Sequence, residues 1–193
     1  ARIHCFLISA GTAVNVIPDL VVMECQLRAD SPEKLLEMSA RVDRALRSCA
    51  DALGGSASVE TLPGYLPMRN DRALFDAFRE SMRDAADDPS LDLRIETSGI
   101  CTDMGDLSLM LPALHGTARG AKGELHSMDF RIVDPRKACV ETALALALTA
   151  CRLLYGDAQA GRAVAARKAS MLSRKDCLEL LSRLSSSGGI EHA

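Results

Sequence analysis

Tryptophan is absent, and two tyrosines with four phenylalanines bring the aromatic share to only 3%. Any core is therefore aliphatic. Base stacking on aromatic platforms, the usual hold on single-stranded nucleic acid, has little to work with. No charge of one sign predominates either. A net charge of −3 supplies no general attraction to phosphate backbones or anionic membranes. The longest apolar run, around Ala143 to Ala150, falls far short of the roughly 20 residues of a membrane span. A secretory signal is missing as well: after Arg2 a short apolar patch gives way to a glycine turn. No CxxC pair occurs among cysteines 5, 25, 49, 101, 139, 151 and 177, which argues against a zinc finger. An odd number of scattered cysteines fits reduced thiols in a cytosol-like, cytoplasmic compartment.

What is present reads as a soluble α/β or α+β chain, 48% hydrophobic and 25% charged. "RIHCFLISAG" is β-rich. "DLVVMECQLRA" sets Val21, Met23, Cys25 and Leu27 against Val22, Glu24, Gln26 and Arg28, the period of a half-buried strand. "NVIPD" is the connection between them, where Pro18 offers no ladder donor. Ser31 predicts an N-cap with Pro32 at the first helical position, and apolar spacing carries the helix to about Ala52, where Gly54 and Gly55 stop it. "SASVETLPGYLP" predicts a short third strand. Strand, strand, helix, strand is most of a split βαβ sandwich.

A change of composition near residue 66 divides the chain. Asn70 predicts the next N-cap, with a helix from Asp71 to about Ala86. The glycine-bearing run from Leu93 to Gly120 reads as loop-rich site sequence. Pro135 opens a long apolar helix through Leu154. The chain beyond Gly156 is helical and weakly patterned, and "SSSGGIEHA" is a flexible tail.

Three sets of residues carry candidate chemistry. Asn15, in a glycine-containing turn, and Arg28, ending the next strand, can hold one carboxylate from facing ends of a hairpin, since a guanidinium fork suits a carboxylate and an amide donates beside it. They equally suit a plain turn and a solvated arginine. His126 and His115 can be metal or acid–base groups, or surface histidines. "CTDMGD" places Asp103 and Asp106 after Thr102, in a loop that can orient a metal ligand or simply turn the chain.

These pieces resemble a known family. "GTAVNVIPDLVVMECQLRA" is similar to the lid hairpin of the two-zinc amidohydrolases: aminoacylases, the carboxypeptidase G group and desuccinylases. "TSGICTDMGDLSLMLPALH" followed by "HSMDF" resembles one subgroup, the aminobenzoyl-glutamate hydrolases and the dipeptidases acting on β-alanyl-lysine and Xaa-Arg substrates. The resemblance spans Arg2 to about Leu154 and rests on the order and separation of the motifs.

It implies an α+β lid of ferredoxin-like type, incomplete on its N-terminal side, over residues 1–66. It implies the C-terminal part of an α/β zinc-peptidase catalytic domain over 67–156, with a helical extension and tail over 157–193. It implies that Asn15 and Arg28, with His115, contact a substrate bearing a free carboxylate, that His126 is a zinc ligand, and that Thr102, Asp103 and Asp106 lie in a loop near the metal. Two divalent ions (zinc, with manganese or cobalt as alternatives) and a homodimer formed through the lid belong to the same expectation.

Cys101 stands where the subgroup usually has serine, and "SMDFRIVD" departs from its Glu-rich continuation. The other metal ligands and the general-base glutamate of the family lie upstream of any residue here. The chain opens on Ala1 in strand-like sequence, which reads as a processed or truncated piece. Two functions follow as expectations. One is the C-terminal portion of an enzyme hydrolysing an amide beside a carboxylate, inactive alone. The other is a non-catalytic dimerisation or binding module, or the remnant of a truncated gene.

Overall fold

The computed structural model describes residues 1–95 and 101–185. The fold is mixed helix and strand, and both sheets among the described residues are two-stranded. The chain forms two compact units. One comprises Ala1–Pro67, Ser98–Asp103 and Lys175–Ala193; the other comprises Met68–Thr97 and Met104–Arg174.

The first unit is built on an antiparallel hairpin, β1 (Arg2–Ser9) and β2 (Val22–Arg28). Helix α1 (Pro32–Ala52) follows and packs on β2. Its ends are where sequence chemistry puts them. The Ser31 hydroxyl accepts from the Lys34 amide, Pro32 occupies the first turn, and Gly54 at φ +75 leads the chain away.

Among the described residues the third segment forms no ladder. Residues 56–62 keep an alternating exposure, but the Ala57 carbonyl accepts from Arg47 Nη1 on α1, and bridging is isolated, at Thr61 and Pro67. Alternation reports which side of a segment is covered and does not supply a ladder partner. The split βαβ pattern therefore stops at strand, strand, helix.

In the second unit α2 (Arg72–Ala86) lies against α4 (Thr142–Ala166). Phe78, Met82 and Ala85 of α2 and Ala145 of α4 are the core, with Leu91, Leu93, Leu114 and Leu148 around them. The cap of α2 is Asp71 and not Asn70: Asp71 Oδ1 accepts from the amides of Ala73 and Leu74, and Oδ2 pairs with Arg167 at 3.0 Å. Asn70 instead accepts from the His115 amide at 2.9 Å. Adjacent Asn and Asp are both competent caps, so sequence alone does not choose between them.

Arg152 of α4 donates to the Ser81 hydroxyl at 3.1 Å and pairs with Asp84, fixing the helix–helix register.

The segment after Pro135 enters α4 through a π-helical stretch, Arg136–Glu141. Around it the run Arg136–Ser170 is the one helix among the described residues long and apolar enough, by length and composition, to cross a membrane, which the apolar run counted from sequence does not reveal. The run is not straight. Tyr155 is extended, and Gly156, Asp157 and Ala158 are left-handed, so the path breaks after Leu154 and resumes to Ala166. A short helix, α5 (Arg174–Leu184), buries Cys177 and Leu184.

The Asp71 cap is testable. Asp71→Ala removes two capping acceptors and an ion pair, with an expected loss of about 1–2 kcal/mol in urea unfolding of the second unit. Asp71→Asn keeps the cap and should lose less than half of that. Equal losses would assign the effect to Arg167 and not to the cap.

Candidate functional site

Residues 101–110 do not form the loop that their glycine and aspartates suggest. Asp103–Met110 is helix α3. Gly105, Ser108 and Leu109 face inward, and the Ser108 hydroxyl donates to the Gly105 carbonyl at 2.7 Å while accepting from the Arg69 amide at 2.9 Å. Asp103 and Asp106 therefore sit one turn apart on a helix, preceded by half-buried Thr102, and the near-site loop becomes a helix start. Acidic groups near a helix start are favoured by the helix dipole.

Asn15 and Arg28 are not brought together. Asn15 lies in the exposed connection between the strands, whereas Arg28 ends β2 at the other end of the hairpin. Seven residues of strand separate the two ends by about 20 Å, more than one carboxylate can bridge. The ladder thus sets the connection and Arg28 far apart along the strand. The reason is topological: connection and strand terminus are opposite poles of a hairpin. Arg28 is half-buried, its Nε donating to Gln26 Oε1 at 3.2 Å, and it stands directly across from Arg2.

His126 occupies the tip of a second hairpin. Strands β3 (Ala121–Lys122) and β4 (Arg131–Ile132) form its legs. At its base the Gly120 carbonyl accepts from the amides of Val133 and Asp134 at 2.8 and 3.0 Å. Gly120 (φ +95) and Gly123 (φ +94) permit the approach; a Cβ on either would lie 2.5 Å from a backbone oxygen, of Asp134 and Asp129 respectively. Within the loop the Ser127 hydroxyl contacts the Glu124 carbonyl at 2.6 Å and the Asp129 carboxylate.

This frame holds His126 exposed and left-handed, at φ 65. Histidine visits that region more readily than most residues, at a cost of roughly 1 kcal/mol. His115, also exposed, is fixed by the bond from its backbone amide to Asn70.

Asp134 closes the base. Its carboxylate accepts from the Lys137 amide at 3.1 Å and pairs with Lys137 Nζ at 3.0 Å, and the amide bond, followed by the side chain, holds its pKa below the ordinary carboxylate value. Beneath it the buried Glu141 receives Arg119 Nη2 at 2.9 Å, with Arg136 Nε farther off at 3.8 Å. Sequence reading passes over Arg119, Asp134 and Glu141. Only the Asp-Pro before a helix hints at the first turn.

The described residues do not fit a two-metal centre by themselves. A catalytic zinc takes about three protein ligands, and no group of three or more His, Cys, Asp or Glu able to hold a metal occurs among them. His126 can be one ligand, and no hydrolytic step is assigned to the residues of this chain. Comparison with protein-family models, curated proteins and solved structures returned no match.

Two outcomes are expected from this geometry. Gly123→Ala should destabilise the second unit by more than Gly156→Ala, because both are left-handed but only Gly123 has backbone within 4 Å of the new methyl; differential scanning of both variants reads this, and equal losses would show the loop is not close-fitted. Asp134, with a depressed folded pKa, stabilises above its unfolded pKa of about 4 and loses that contribution as pH falls through the folded value. Amide exchange at Lys137 should therefore speed up towards acid relative to Asp134→Asn, in which the step disappears.

Proposed function

We propose that this chain supplies the lid and the closing part of the catalytic domain of a metal-dependent amidohydrolase that cleaves an amide beside a free carboxylate. The remaining metal ligands and the general-base glutamate belong to polypeptide outside it. The observation that carries the reading is the presentation of His126, exposed, left-handed and braced by two glycines that admit no side chain. Backbone held in a sparsely populated region collects at functional sites.

The order of the motifs supports the same reading. So does the apolar surface each unit leaves open: Phe6 and Ile8 in the hairpin are 62% and 56% exposed, and Leu154 on α4 is 69% exposed. Exposed apolar area on this scale marks surface that another polypeptide covers.

In this proposal Arg28 anchors the substrate carboxylate through its guanidinium, without Asn15 of the same chain. His126 is the ligand this chain contributes, for zinc, manganese or cobalt. The lid hairpin is the surface of a homodimer. The inference of reduced thiols, on which the cytoplasmic expectation rests, no longer covers Cys5 and Cys25, which are disulfide-bonded.

A second reading, a non-catalytic association module, draws on the same exposed hairpin. Among the described residues neither of its edges pairs with another strand, as suits strand addition.

In the whole enzyme, His126→Ala should lower bound zinc per chain by metal analysis as well as the rate of hydrolysis. Arg28→Ala should raise KM for N-acyl amino acids by about 10–100-fold and leave their amidated analogues unchanged, as expected for one charge-assisted pair. Undiminished zinc in the first variant and undiminished discrimination in the second, with self-association lost in Phe6→Glu, would favour the association module.

A further inference from the structure

Cys5 and Cys25 are direct partners in the β1–β2 ladder, joined by a disulfide with 4.1 Å between their Cα atoms. Three features surround this bond. Among the described residues the sheet has two strands, and a lone hairpin is marginal in water. Its open end sets Arg2 directly across from Arg28, a like-charge pair that opposes pairing. Its other end carries a register shift between Leu7 and Ser9. The cross-link thus lies between a repulsive end and an irregular one, in the part of the ladder with least to hold it otherwise. Cys5 is exposed and Cys25 half-buried, so a small thiol reaches the bond from solvent. The remaining cysteines, 49, 101, 139, 151 and 177, are elsewhere in the sequence.

We propose that Cys5 and Cys25 form a reversible thiol–disulfide switch that sets the order of the β1–β2 hairpin. The inference is independent of the enzymatic reading. Its redox partner is a low-molecular-weight thiol–disulfide couple. In the oxidising direction the Cys5 thiolate attacks one sulfur of the small disulfide and expels the first thiolate. The Cys25 thiolate then attacks the mixed disulfide at Cys5, forming the cross-strand bond and expelling the second. The two protons released by the protein thiols are taken up by the two departing thiolates, and reduction runs the same steps in reverse. Oxidised, the strands are held in register. Reduced, the Arg2–Arg28 end separates and the hairpin frays.

The chain equilibrated in oxidised and reduced glutathione at varied ratios provides the test, read by cysteine alkylation and by amide exchange. Cys5 and Cys25 should pass together, in one transition, from protected to alkylated. Amides of β1 and β2 should exchange on the order of a hundredfold faster in the reduced form, the effect of releasing a loop of this length, while those of α2 and α4 stay unchanged. Cys5→Ser and Cys25→Ser should each show the fast exchange at every ratio. Equal exchange in the two forms, or a pair that stays wholly bonded or wholly free across the glutathione range, would overturn the switch.

Discussion

The carbonyl of Gly120 is the contact on which the second hairpin depends. It accepts from two successive amides, Val133 and Asp134, and so closes a hairpin whose legs are only two residues each. Such short strands cannot hold themselves together. Three supports converge on the base. Asp134 caps the entry to the following helix, and Arg119 runs back to the buried Glu141 at the end of the π-helical stretch. The glycine backbones come closer than any side chain allows. Removing Arg119 would leave the buried Glu141 with only the more distant Arg136 as counter-charge. The exposed histidine at the tip is thus carried on a base held by several close contacts.

The helices were legible in the sequence where local signals agreed. Ser31-Pro32 before an apolar period and Gly54 after it mark α1 at both ends, and Pro135 marks the entry to the long C-terminal helix. Legibility failed where one signal had two uses. Glycine and aspartate in "CTDMGDLSLM" suggest a turn, yet Gly105 is buried within α3. Alternation in "SASVET" suggests a strand, yet among the described residues it shows only an isolated bridge at Thr61 and the Ala57 carbonyl turned to Arg47. Asn70 and Asp71 both suit a cap, and only the return of Ala113 and His115 to the helix start decides between them.

The candidate site shows the same division. Residue types name the possible chemistry: a guanidinium for a carboxylate, an imidazole for a metal. They do not fix where those groups stand. Asn15 and Arg28 lie close in sequence terms, but a hairpin carries its connection and its strand terminus apart. The cross-strand bond between Cys5 and Cys25 was hidden for the converse reason. A separation of 20 residues says nothing until the ladder register sets the two opposite each other.

The exposed apolar surface links these parts energetically. Fully burying a Phe or Leu side chain contributes roughly 1.5–3 kcal/mol. In the first hairpin Ile3, Phe6, Leu7 and Ile8 are all at least half exposed. Covering them would therefore contribute several kcal/mol, comparable to the whole stability of a typical domain. The hairpin's order is then decided by two terms of similar size: what covers its faces, and whether its cysteines are joined. The cross-link matters most when the faces are bare, because the uncovered ladder has the repulsive Arg2–Arg28 end and, among the described residues, only two strands to oppose it. Once a partner surface is in place, the same bond adds little to an already ordered sheet. Redox state and association are thereby coupled through one element, with no need for contact between the sulfurs and the partner.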